Sequence, residues 1–138
     1  MIHLDTNVAI ALLNQTQHQV RARFDAARAA KTPIGLSTVV YHELMYGAAF
    51  SERRTANEGK IAVFISCGEI ALLAFTQADA HEAAEIRATL KRQGTPIGPY
   101  DLLIAAQARR AGTTLITANT REFLRVPGLM VTDWAVDN

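Results

Sequence analysis

Short aliphatic runs alternate along this chain with longer stretches in which apolar positions return every three or four residues. Ile2-His-Leu4 reads as a first strand that stops at Asp5. Helical stretches follow from Val8 to Leu13 and from about His18 to Ala30, the second with Val20, Phe24 and Ala27 on one face. Thr32-Pro33 breaks it. Ile34-Gly-Leu36 predicts a second strand, and Ser37 or Thr38 can cap the helix that begins at Val39. Gly47 interrupts that helix without ending it, and Asn57-Glu-Gly59 is the expected turn before a helical run from Lys60 to Ile65. Glu69 to Phe75 reads as a third strand. Gln77 to Arg92 carries a strong amphipathic pattern, with Ala80, Ala83, Ala84, Ile86 and Leu90 apolar and Glu82, Glu85, Arg87 and Lys91 charged. Pro99 suits a helix start, and the helix from Tyr100 to Ala111 should end at Gly112. Thr114 to Thr117 and Leu129 to Thr132 complete the strands, with a helical turn at Arg121 to Leu124 between them. Strands alternating with helices predict an α/β fold whose mostly parallel five-stranded sheet is covered on both faces.

Composition narrows the class. The 138 residues are expected to form one domain over residues 1–138, with 49% hydrophobic and 20% charged residues. Such a domain buries roughly 68% of its unfolded surface and needs no disulfide. Cys67 is the only cysteine and follows an apolar run, so a buried, inert thiol in a reducing cytoplasm is expected. Asp5 comes too early for a signal peptide, and no uncharged stretch approaches the ~20 residues of a membrane span. Net charge is +1. If Asp5, Glu43, Asp101 and Glu122 faced a bound metal, the remainder would hold 14 basic against 9 acidic groups, a rim suited to a phosphate backbone.

Those four acids recur just after strands or at helix starts. Asp5 stands where the first strand ends, in the region where open α/β sheets gather ligands, although Asp is also a favoured helix cap. Glu43 borders an apolar stripe, with Val40 and Gly47 as its helical neighbours. Asp101 opens a helix whose Ile104, Ala105 and Ala108 should be buried, and a carboxylate there also suits the helix dipole. Asn119 and Glu122 share a face of a turn after the fourth strand. Two like charges ~4 Å apart repel by about 4 kcal/mol at an effective dielectric near 20, so clustered carboxylates call for a cation. Oxygen ligands without a Cys/His cluster point to Mg²⁺ or Mn²⁺ over Zn²⁺.

Asp5-Thr-Asn7, Glu43-Leu44 with Gly47, Pro99-Tyr-Asp101-Leu-Leu-Ile-Ala-Ala106 and Thr117-Ala-Asn-Thr-Arg-Glu-Phe123 together resemble the motifs of PIN-domain ribonucleases. With Arg125-Val-Pro-Gly-Leu129 and Asp133-Trp134, the chain resembles the VapC toxins of type II toxin–antitoxin pairs from Asp5 to Trp134. The resemblance implies a PIN-like three-layer α/β/α sandwich and Mg²⁺-dependent endoribonuclease activity, with Mn²⁺ able to substitute. It implies Asp5 and Asp101 as metal ligands, with Glu43 and Glu122 binding through water or holding a second ion. The family has an acid at either the Asn119 or the Glu122 position; Glu122 is assigned here and Asn119 is its neutral neighbour. Thr6 and Thr117 would orient carboxylates or water, Arg121 and Arg125 would hold RNA phosphates, and Tyr100 would stack a base. A homodimer, silencing by a VapB-type antitoxin and a tRNA target, the initiator tRNA among them, are further implications.

Rival readings fit the residues less well. A phospho-receiver domain needs an acid ending the third strand and a late Lys, but that strand ends Ala74-Phe75 and no Lys follows Lys91. A haloacid-dehalogenase-like phosphatase needs Asp-x-Asp, and Asn7 stands in the third place. A non-catalytic interaction module, with its acids serving as helix caps, is the remaining alternative. His3, His18, His42 and His81 show no ligand spacing.

Overall fold

The computed structural model describes residues 1–137. Its sheet contains β1 (Ile2–Leu4), β2 (Ile34–Ser37), β3 (Ile70–Leu73), β4 (Thr114–Ile116) and β5 (Met130–Thr132), ordered β3-β2-β1-β4-β5. Every pairing is parallel, so the sheet is wholly rather than mostly parallel. Helices α1 (Thr6–Asn14), α2 (His18–Ala29), α3 (Thr38–Phe50), α4 (Arg54–Cys67), α5 (Gln77–Gln93), α6 (Pro99–Ala111) and α7 (Thr120–Phe123) flank it. From β1 the chain winds outward to β2 and β3, then returns to β4 on the other side of β1. That reversal opens a crevice beyond the carboxyl ends of β1 and β4.

Parallel strands buried on both faces need continuous aliphatic sequence, and Leu4, Leu36, Leu115 and Ile116 are each at most 1% exposed. Val40 and Leu44 of α3 and Ile104, Ala105 and Ala108 of α6 close over them. Gly35 in β2 gives its neighbours room: a Cβ there would lie 2.6 Å from Leu73 Cδ1 and 3.0 Å from the His3 ring, so those side chains would have to shift.

Three local expectations are corrected. Asn57-Glu-Gly59 lies inside α4, and the turn falls earlier, at Ser51–Arg53. The Ser51 hydroxyl accepts from the Arg53 amide at 3.0 Å and the Asn57 side chain at 2.9 Å, which leaves Asn57 free to continue the helix. A glycine inside a helix costs about 1 kcal/mol but does not forbid it. Cys67 is exposed rather than buried, because Ile61, Phe64 and Ile65 carry the inward face of α4 and Cys67 ends the helix beyond them. On α5 the buried row is Asp79, Ala83, Ile86 and Leu90, while Ala80 and Ala84 face outward.

Asp79 is the unexpected member of that row, 1% exposed. Its carboxylate accepts from the Thr76 amide at 2.8 Å and from Arg110 Nε at 2.5 Å, while its own amide donates to Thr76 Oγ1 at 3.3 Å. This capping box and ion pair join α5 to α6. Burial pushes the Asp79 carboxyl upward, but the hydrogen bonds from Arg110 and Thr76 outweigh it and hold the group below the usual carboxylate range. A depressed folded pKa stabilises the protein above the unfolded value of about 3.9 and loses that contribution as pH falls through the folded value. Asp79→Asn should therefore lower stability at neutral pH by about 1–3 kcal/mol and shrink the acid-side loss in urea titrations. An acid limb as steep as wild type would contradict this role.

Candidate active site

The crevice is built mostly from residues that end strands or begin helices, with Glu43 further along α3. The Asp5 amide bonds to Ile116 O at 2.9 Å, continuing the β1–β4 ladder, while Asp5 O accepts from the Ala9 amide at 3.1 Å and starts α1. Asp5 thus occupies the N-cap position, yet its side chain makes no capping bond. Its Oδ2 instead accepts from Thr117 Oγ1 at 2.7 Å. Thr117, fully buried just beyond β4, accepts the Asn119 amide at 3.0 Å on the same oxygen, which directs its own proton to Asp5. Asp5 therefore starts α1 while its side chain is turned toward Thr117.

Three more carboxylates arrive on separate elements. The Ser37 side chain caps α3 through the Val39 amide at 3.0 Å, and one turn into that helix Glu43 Oε1 accepts from Thr6 Oγ1 at 2.6 Å. Nothing lies within 4 Å of where a Gly47 Cβ would be, so the space beside Glu43 is open. Glu122 stands on α7, a single short turn anchored by the fully buried Phe123, and its Oε2 accepts from Asn119 Nδ2 at 2.6 Å. Asn119 and Glu122 are therefore a donor and an acceptor of one pair.

Asp101 is the third helical residue of α6, after Pro99 at the first position and Gly98 as cap. Asp79 holds the same position on α5, but there Thr76 as cap supplies the partner for a capping box. Gly98 has no side chain to return the bond, and a Cβ at that position would lie 3.6 Å from Asp101 Oδ2. Burial first, then the negative Asp5, Glu122 and Glu43 and a shared hydrogen bond with Glu122, push the Asp101 carboxyl up to about 7. Burial likewise raises Asp5, against the Thr117 and Thr6 hydrogen bonds, with Glu43 and Glu122 adding to it.

Cations do not relieve this repulsion. Among the described residues every Lys or Arg ion pair lies elsewhere, at Asp25, Asp137, Glu58, Glu82 and Asp79. Asp5 and Asp101 thus feel the charges of Glu43 and Glu122 through space, while neutral donors hold Asp5, Glu43 and Glu122 and none holds Asp101. No three described His, Cys, Asp or Glu side chains stand close enough to ligate one ion among themselves. A hard dication that keeps several waters and takes one or two carboxylates fits this arrangement. Arg121 is exposed at the margin beside Glu122. Arg125 Nη1 donates to Pro96 O at 2.8 Å, tying the end of α7 to the loop before α6. Tyr100 is 48% exposed.

Two neighbours were not singled out by the sequence. Asn7 Oδ1 accepts from the Ala118 amide at 3.4 Å, fastening α1 to the segment after β4. His42, beside Glu43, places its ring 5.3 Å from that of Tyr100. Only the spacing of His42 from Glu43 hinted at it, because the α6 partner is remote in sequence.

Comparison with known proteins follows the same outline. A family model described as PIN domain matches residues 2–129. The chain is 40% identical over 132 residues to the tRNA(fMet)-specific endonuclease VapC of Shigella flexneri, covering 96% of each protein. It is 33% identical over 131 residues to ribonuclease VapC2 of Rickettsia felis, covering 95% of this chain and 96% of that one. The solved structure of DNA-bound VapBC from Salmonella typhimurium matches with a TM-score of 0.88 at 35% identity, covering 96% of this chain and 97% of its counterpart. VapBC2 of Rickettsia felis, bound to a promoter DNA fragment, matches with a TM-score of 0.88 at 32% identity, covering 97% and 99%.

The repulsion has a measurable consequence in metal-free protein. Asp101 titrates at about 7 when folded, above its unfolded value of about 3.9, so its contribution to stability is full below the unfolded value and is lost as pH rises toward 7. In EDTA, Asp101→Asn should flatten the fall in Tm between pH 5 and pH 8. Mg²⁺ added at pH 8 should raise the Tm of wild type and leave that of Asp101→Asn unmoved, since a ligand at 100 times its Kd adds about 2.7 kcal/mol. Equal Mg²⁺ responses would remove Asp101 from the ion site.

Proposed function

The chain belongs to the PIN-domain family, and we propose that it is a divalent-metal-dependent endoribonuclease, the toxin of a toxin–antitoxin pair. One observation supports this most directly: Asp5 and Asp101, 96 residues apart in sequence, are brought within electrostatic reach without a cationic partner, and Asp101 is pushed to about 7. PIN-domain ribonucleases depend on a divalent metal. Mg²⁺, with Mn²⁺ as a substitute, suits a set of oxygen donors with no Cys or His. Asp5 and Asp101 would hold the ion, with Glu43 and Glu122 reaching it through water.

When bound, the ion supplies a water of lowered pKa and offsets negative charge at the scissile phosphate. The chain's own residues perform the positioning. Thr117 fixes Asp5 Oδ2, and Thr6 and Asn119 fix Glu43 and Glu122 in the same way. Neutral donors orient these carboxylates without cancelling the charge that draws a cation. Arg121 and Arg125 are the proposed phosphate contacts, and Tyr100 a base contact. Water attack on phosphorus with departure of the 3′ oxygen leaves 5′-phosphate and 3′-hydroxyl ends.

The relatives named tRNA(fMet)-specific endonuclease support tRNA, and initiator tRNA first, as the substrate to test. The VapBC complexes support a VapB-type antitoxin as partner. A homodimer and a cytoplasmic location, where tRNA resides, complete the reading. No helix among the described residues is long and apolar enough to cross a membrane.

Purified chain should cleave initiator tRNA transcript with Mg²⁺ and stop in EDTA. Asp5→Asn and Asp101→Asn should each lower kcat/KM by about 10²–10³-fold while remaining folded by circular dichroism, the scale of losing one electrostatic stabiliser. Folded variants that cut as well as wild type would favour the non-catalytic interaction module. At the fourth position, Glu122→Gln should reduce kcat/KM more than Asn119→Ala. The opposite order would transfer the ligand role to Asn119.

A further inference from the structure

The other face of α3 carries a feature that the carboxylate chemistry does not use. Val40, Leu44 and Ala48 are buried, and two residues after each stands His42, Tyr46 or Phe50, all exposed. Their i, i+4, i+8 spacing places them on one helical face, about 6 Å apart along the axis. Tyr46 is 62% and Phe50 82% exposed, so neither ring gains much from burial. The two rings lie 6.1 Å apart and only 18° from parallel. At the other end the row is extended by Tyr100, whose ring meets that of His42 at 5.3 Å.

We propose that His42, Tyr46 and Phe50, continued by Tyr100, form a stacking platform for unpaired RNA bases leading into the carboxylate site. The proposal rests on the endoribonuclease reading above and specifies the substrate class as single-stranded RNA. Continuity favours this occupant: the His42–Tyr100 contact brings one end of the row to the first turn of α6, the turn that carries Asp101. Exposed aromatic rings offer π-faces to any base, whereas a duplex keeps its bases stacked internally. Charge agrees. Arg53 follows Phe50 by three residues, is exposed, and has no ion pair among the described residues, although Glu52 lies beside it and Arg54 is engaged by Glu58 at 2.7 Å. Arg121 stands at the margin of the site beside Glu122. A separate depression between α1, α2 and α4, lined in part by Leu12, Phe24, Val63 and Phe64, offers apolar contacts away from this row.

Binding separates this proposal from the nuclease reading. In an Asp5→Asn background, fluorescence anisotropy would follow a fluorescein-labelled single-stranded RNA decanucleotide of mixed sequence, with the corresponding duplex as control. Tyr46→Ala and Phe50→Ala should each weaken single-strand binding about tenfold, within the range for loss of one base–aromatic stack, and leave duplex binding unchanged. Tyr46→Trp and Phe50→Trp should restore it. Both positions are solvent-exposed, so an unchanged Tm should accompany the loss. Single-strand affinity within twofold of the parent in the double alanine variant would overturn the platform. If that variant instead sedimented as a smaller species with RNA affinity intact, the row would belong to a second copy; if only affinity for an antitoxin fell, it would belong to that protein. Each result rejects the RNA platform. Aromatic-dependent binding by a chain whose wild type cleaves no RNA would keep the platform and reject the nuclease.

Discussion

Four carboxylates repel one another beyond the ends of β1 and β4, and much of the surrounding structure can be understood as holding them there. Hydroxyl and amide donors orient three of them, and no guanidinium or ammonium among the described residues neutralises any. A cation built from the chain would have been stabilising and would also have filled the site. Asp79 and Asp101 show the two outcomes at one helical position. Both are third residues of their helices, but Thr76 and Arg110 draw Asp79 below its ordinary range, whereas Gly98 offers Asp101 no returning side chain and its neighbours push it up to about 7. The first acid is a fastener and the second remains available to a ligand.

That availability depends on rigid supports outside the site. The reversal of strand order between β1 and β4 opens the crevice, and the ladder bond from the Asp5 amide to Ile116 keeps the two strand ends in register. Buried Phe123 fixes a four-residue helix that would not persist alone, and with it Glu122 and Asn119. The Arg110–Asp79 and Arg109–Glu82 pairs clamp α6 to α5, so the first turn of α6 presents Asp101 from a fixed base. Charge pairing is thereby spent on the scaffold and withheld from the centre. The aromatic row on α3 extends the same division along one helix: one face packs the core, a neighbouring position carries Glu43, and the outward face remains open to a partner.

Much of the architecture was legible in the residues. Aliphatic runs marked all five strands, helix-period patterns marked the longer helices, and Pro99 and Gly112 marked boundaries where the structure has them. Local chemistry misled at Asn57-Glu-Gly59, because the competing use of Ser51 as acceptor depends on how the chain turns before α4. It also misled at Cys67, where an apolar neighbourhood in sequence did not translate into an inward-facing position.

The sequence by itself placed Asp5 at a strand end, Asp101 and Glu122 at helix starts and Glu43 within a helix, because these placements follow from periodicity and turn residues within a few positions of each. The tertiary structure alone decided what each carboxylate touches. Thr117 holds Asp5 across 112 positions of chain and Thr6 holds Glu43 across 37, while Asp101 receives crowding in place of a donor. Hydrogen bonds and electrostatic fields act through space, so which acid is fastened and which is left free for a cation is set only once the strands are in order.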